Sequence, residues 1–203
     1  MNPYHREQIE TYSMVHEHLA NNPTERQRLL AEASDYLSFR NQVERFLSTH
    51  FNEICTETCY RNRLSACCSR EGIVTFFADI VVNVLVSEPG EIENLISLLH
   101  KQNTGFKCIY LTEKGCLWKV KPIVCEMFLC DRARGSIFPQ NLQLEREWEL
   151  IETERRRFTW PDRPVLFDRL EAYFLDAGFQ SPLMYLHNSP GLLRVKQKAG
   201  LIE

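Results

Sequence analysis

The sequence lacks most of the signatures that assign a chain to a class at first sight. It has no Gly-rich phosphate loop, no Gly-x-Ser-x-Gly elbow and no His-Glu-x-x-His helix, which excludes the P-loop, α/β-hydrolase and zincin readings. No block of basic residues occurs and the formal net charge is -3, so nucleic acid is not an expected partner. No apolar run reaches membrane-spanning length; the longest, Ile73 to Val86, has the length of a buried core helix, and no membrane association is expected. The first thirty residues carry His5, Arg6, Glu7, Glu10, Glu17 and the run Glu25 to Arg28 in place of an apolar leader, so the expected location is the cytoplasm. No cysteine stands before Cys55 or after Cys130. No repeat or low-complexity linker divides the chain.

With 203 residues and 44% hydrophobic residues, the chain can bury an ordinary core and has no need of a disulfide framework. The expected organisation is one compact domain in three parts: an N-terminal helical segment over 1–50, a cysteine-rich core over 51–135 and a C-terminal helical segment over 136–203. The expected fold is mainly α with a small β-hairpin, the helices surrounding a cysteine-ligated metal centre.

Asn2-Pro3 and Asn22-Pro23 each place a capping side chain before a helix-starting proline, and Glu25 completes a capping-box pattern with Asn22. Leu30, Ala33, Leu37, Val43, Phe46 and Leu47 follow at three- and four-residue steps, which predicts a helix to about Phe51 with a break within Ser34 to Ser38. His16 and His18 point to different faces and are expected to be solvated or hydrogen-bonded, not ligands. In Ile73 to Val86 the polar residues Thr75, Asp79 and Asn83 step by four, which makes one stripe on a helix and no sense on a strand. Asp79 is expected to cap a neighbouring backbone or bond a ligand-bearing loop. Ser87-Glu88-Pro89 opens a helix with Ile92, Leu95, Ile96 and Leu99 inward. Phe106 to Leu111 and Cys116 to Val120 read as a hairpin around Thr112-Glu113-Lys114-Gly115, with Gly at the left-handed position. Lys121-Pro122 stops the second strand and opens a helix over Ile123 to Leu129, with Cys125 in its first turn and Cys130 at its end. Further on, Leu144, Trp148, Ile151 and Phe158 mark a helix with a charged outer face that breaks at Thr159-Trp160-Pro161. Pro164 opens another with Leu166, Phe167, Leu170, Tyr173 and Phe174 inward, stopped by Gly178. Ser181-Pro182 and Ser189-Pro190 start two short helices.

The eight cysteines form two sets, Cys55, Cys59, Cys67 and Cys68, then Cys108, Cys116, Cys125 and Cys130. Such clustering in a reducing compartment points to metal ligation, and all eight are candidate ligands. Cys67 and Cys68 are adjacent, so their side chains diverge; one is expected to ligate while the other serves a second centre or packs as a small hydrophobe. His50 is not needed, because eight thiolates saturate two four-coordinate sites. Arg61, Arg63 and Arg70 are placed either to offset thiolate charge or as exposed loop residues.

Cys55-x3-Cys59, the Cys67-Cys68 doublet, Cys108-Ile-Tyr-Leu, Gly115-Cys116, Lys121-Pro122, Cys125 and Phe128, in this order, resemble the YkgJ-type cysteine-cluster family, described as zinc- or iron-chelating. Seven residues precede the Cys-Cys doublet here where the family usually has about two, and Lys121 stands where the family usually has Arg. The resemblance implies metal or iron-sulfur binding; a more distant likeness to flagellin lysine methylases implies an enzyme. The spacings lack the Cys-x2-Cys knuckles of zinc ribbons and, with Asn62 in the third position, the Cys-x3-Cys-x2-Cys triplet of radical enzymes that cleave S-adenosylmethionine. The expected cofactor is an iron-sulfur cluster of the [4Fe-4S] kind, serving electron transfer or redox sensing with a protein partner. The alternatives are a zinc-stabilised interaction module and a metalloenzyme of methyltransferase or oxidoreductase type.

Overall fold

The structure, a computed structural model, describes residues 3–61, 68, 74–105 and 107–203. The fold is mainly α with one two-stranded antiparallel hairpin. The chain opens with α1 (Pro3–Asn21), α2 (Pro23–Glu32) and α3 (Ser34–His50). The expected break falls at Ala33, one residue ahead of the predicted run, with φ -81° and ψ -3° between α2 and α3. Pro23 takes the first turn of α2 as expected, but Asn22 does not cap that helix. Its Nδ2 donates to the His18 carbonyl at 2.8 Å, and Glu25 accepts from Arg28 instead of reaching back. One residue separates α1 from α2, and Pro23 has no N–H to satisfy, so the amide serves the orphan carbonyls ending α1.

After α3 the backbone widens into a π-helix, Glu53–Tyr60, which carries both Cys55 and Cys59. The next helix, α4 (Phe77–Val86), is buried at every residue from Phe77 to Leu85, as its composition predicts. It packs against α1 and α2, and α5 (Pro89–Leu99) lies against α1 with Ile92, Leu95 and Leu99 buried. Glu88 starts α5, its N–H donating 2.8 Å to the Glu91 carboxylate.

The hairpin is shorter than the sequence predicts. β1 (Leu111–Thr112) pairs with β2 (Gly115–Cys116), Leu111 opposite Cys116 and Thr112 opposite Gly115. Gly115 takes φ +108°, the conformation that its place in the turn requires. One further ladder-like bond, Leu117 N–H to the Tyr110 carbonyl at 2.9 Å, extends the pairing before the chain turns at Ile109 and Tyr110. The expected first strand also included Phe106, which lies outside the described residues.

The helix expected over Ile123 to Leu129 closes after one turn as α6 (Ile123–Glu126), with Cys125 in it. Cys130 does not end that helix but precedes α7 (Asp131–Ile137), in extended backbone. A short 3-10 turn, Phe138–Gln140, leads to α8 (Leu142–Thr159), whose first N–H groups are capped by Asn141 Oδ1. α9 (Leu166–Asp176) packs against α4 and α8 and ends at Gly178 with φ +87°. Ser181-Pro182 forms a turn, with Ser181 Oγ accepting from Leu183 N–H at 3.1 Å, so α10 (Tyr185–Asn188) starts later than expected. Pro190 opens α11 (Pro190–Lys198) as predicted. No helix among the described residues is long and apolar enough to cross a membrane.

Candidate functional site

The polar stripe of α4 organises the second cysteine set. Asp79 Oδ2 accepts the Phe76 N–H at 3.0 Å and so starts its own helix, while Oδ1 accepts the Ile123 N–H at 3.0 Å and starts α6. One turn on, Asn83 Oδ1 accepts the N–H groups of Lys119 and Val120, both at 3.0 Å. The backbone entering and leaving Lys121-Pro122 is thus held by two buried side chains of one helix. Asp79 therefore plays the role expected of it, a cap on a cysteine-bearing loop. Burial pushes its carboxyl up to about 6, against the opposing pull of the Arg40 guanidinium.

Arg40 and Glu126 complete this support. Arg40, on α3, donates from Nη1 to the Tyr36 hydroxyl at 2.8 Å and from Nη2 to the Lys121 carbonyl at 2.6 Å. It also forms a buried ion pair with Glu126, Nε lying 3.0 Å from Oε2. Neither residue stood out in the sequence. The available signal was positional: Arg40 falls midway between Leu37 and Val43 on the buried stripe of α3, where a guanidinium needs an internal partner.

The hairpin is docked on α1 by aromatic contacts and one hydrogen bond. Trp118 lies 5.4 Å from the ring of Tyr12 and 5.5 Å from that of Tyr110, and the Tyr110 hydroxyl donates to Gln8 Oε1 at 2.7 Å. Across the hairpin, Tyr60 of the π-helix donates to the Thr112 carbonyl. These anchors bring the end of α3, the π-helix, the hairpin and α6 around one cavity of about 530 Å³.

Five cysteines line that cavity: Cys55 from the π-helix, Cys68, Cys108, Cys116 from β2 and Cys125 from α6. Members of both sets thus line one cavity, and the Cys108 N–H donates to the Cys68 carbonyl at 3.0 Å. Cys59 and Cys130 are half-buried but do not line the cavity, and Cys67 lies outside the described residues. No disulfide joins any two of the seven described cysteines. Among the described residues, no group of three or more His, Cys, Asp or Glu side chains is close enough to hold one metal ion. His18 Nε2 lies 2.9 Å from the Tyr173 hydroxyl, and His50 packs on Phe46 at 5.0 Å between rings, whereas His5 lines the cavity with the cysteines.

The cavity disfavours thiolates on their own. Burial pushes up the thiols of Cys108 and Cys116, and that of Cys125 reaches about 12 through burial and then the nearby Asp79, Cys108 and Cys116. A cation bound by several sulfurs reverses this balance, since coordination displaces the protons. Compared with protein-family models, with curated proteins and with solved structures, the chain finds no match.

Proposed function

We propose that the chain is a metal-binding protein whose centre is held by cysteines of the shared cavity, with Cys55, Cys68, Cys108, Cys116 and Cys125 as its nearest ligand candidates. The observation that carries this reading is that five cysteines, drawn from both ends of the cysteine-rich region, line one cavity. Soft thiolate donors select zinc, copper(I) or iron-sulfur clusters over hard cations. Within that choice an iron-sulfur cluster is favoured. A single zinc needs four sulfurs at about 2.3 Å, hence about 3.8 Å from one another, whereas a polynuclear core bridges sulfurs that stand further apart. Donors arranged round a cavity and not gathered about one point fit the second demand. The resemblance to YkgJ-type proteins agrees in kind, and the roles such a cluster serves here are electron transfer or redox sensing with a protein partner.

The buried Arg40–Glu126 pair and the Asp79 and Asn83 bonds keep the loop carrying Cys116 and Cys125 in place, so ligation need not order it first. Anaerobic purification followed by iron, sulfide and visible-absorption analysis tests the reading. Equal amounts of iron and acid-labile sulfide, with absorption that bleaches on reduction, are expected. A colourless protein carrying stoichiometric zinc would replace the cluster with a zinc-stabilised module, and a folded protein with neither metal would overturn the proposal.

A further inference from the structure

The cavity is larger than a mononuclear thiolate site requires, and among the described residues most of its remaining wall is not ionic. A closed tetrahedral site is filled by the ion and its ligands, whereas cavities of about 300–1,000 Å³ are the range in which small organic molecules bind. At about 530 Å³ this cavity belongs to the second class. Away from the sulfurs its wall includes Leu47, Phe51, Ile109, Leu111, Phe128 and Leu129. Phe128, 45% exposed, lies at the open side of this wall, and Phe51 is buried.

Among the described residues, the charged groups on the wall cancel or face outward, and burial lowers the pKa of the half-buried His5 imidazole, which favours its neutral form. Glu126 is held by Arg40 and Lys121, and Arg61 is paired with Glu57. Glu44, Glu113 and Lys114 are exposed at the rim. Among the described residues the wall therefore offers no unbalanced charge to an ionic ligand, but a large apolar surface with polar groups such as Ser48 and Asn52 at its exposed edge.

We infer that the cavity binds a small, neutral, largely apolar organic molecule beside the cysteine sulfurs, against the Leu47–Leu129 wall. The inference rests on the metal-centre reading only for what that molecule meets at the sulfur side; the void itself belongs to the fold. A centre so placed is open to a bound molecule, which distinguishes it from a purely structural metal.

The test is a fluorescence titration of the full-length, anaerobically purified protein with N-phenyl-1-naphthylamine, a neutral apolar probe, with metal content measured on the same samples. Saturable one-to-one binding is expected. Ser48→Trp narrows the cavity from an exposed position on α3 and should weaken binding about tenfold or more, with metal content and thermal unfolding unchanged. Leu47→Trp is the second narrowing variant. Leu150→Trp, on the exposed face of α8, should leave binding as it was. Metal-loaded protein that does not bind the probe, binding indifferent to both narrowing variants, or metal and probe that exclude one another would each overturn the inference. Metal-free protein that still binds the probe at this site would leave it standing and remove the metal-centre reading instead.

Discussion

Replacing Asn83 by alanine removes the support of the cysteine-bearing loop at one point. Asn83 is fully buried, and its side chain satisfies three groups: the N–H donors of Lys119 and Val120, each at 3.0 Å, and the Tyr12 hydroxyl, to which Nδ2 donates at 3.4 Å. Alanine fits the helix at least as well as asparagine, so backbone propensity does not add to the loss. The loss comes from stranded partners. An unsatisfied buried donor costs about 1–3 kcal/mol, and the two amides are only partly buried, so they regain some bonding to water. Counting about 1 kcal/mol for each amide, and about 1 kcal/mol for the longer Tyr12 bond and the small void together, gives a destabilisation of about 3 kcal/mol. This is a large fraction of the stability of an ordinary domain. Equilibrium urea unfolding followed by far-ultraviolet circular dichroism measures it. Native-state alkylation of Cys116 and Cys125, followed by mass spectrometry, should show both thiols reacting several-fold faster as the loop loosens. A loss under about 1 kcal/mol with unchanged alkylation would refute the claim that α4 holds this loop.

Two other perturbations probe the buried charges. Glu171 is fully buried; Oε2 accepts the His187 N–H at 3.1 Å at the start of α10, while Oε1 has no partner among the described residues, and burial pushes the carboxyl up to about 8. The folded chain thus keeps a proton that the unfolded chain releases near 4.5, so stability falls as pH rises through this window. Between about pH 6.5 and 8.5 the loss should be about 2 kcal/mol, and Glu171→Gln should abolish it in urea titrations at the two pH values. Arg40→Ala leaves Glu126 buried with only the half-exposed Lys121 beside it and should cost about 3 kcal/mol; combining it with Glu126→Gln should restore part of that, as a double-mutant unfolding cycle would show.

What the sequence disclosed and what it withheld follow from the range of the forces involved. The four-residue step of Asp79 and Asn83 identified α4 because the helical period is local, and it put both supports of the loop on one face, but Thr75 lies ahead of the helix, which starts at Phe77. Gly115 was legible because only a residue tolerant of positive φ suits that corner. The π-helix was not legible, since one wider turn leaves the apolar period almost unaltered. Asn22 misled because a side chain flanked by two helix ends has orphan groups on either side, and sequence does not say which it serves. Which cysteines share a cavity was not legible. That Cys55 and Cys68 line one cavity with Cys108, Cys116 and Cys125 while Cys59 and Cys130 lie elsewhere depends on how α1 and α3 seat the hairpin, through Gln8, Tyr12 and Arg40.

The central claim is that sulfurs of this cavity bind metal, and X-ray absorption at the edge of whichever metal co-purifies tests it most directly. The account predicts a first shell made of sulfur, lost together with the metal when Cys108, Cys116 and Cys125 are replaced by serine. A shell of nitrogen and oxygen only, or metal retained undiminished by that triple variant, would contradict it.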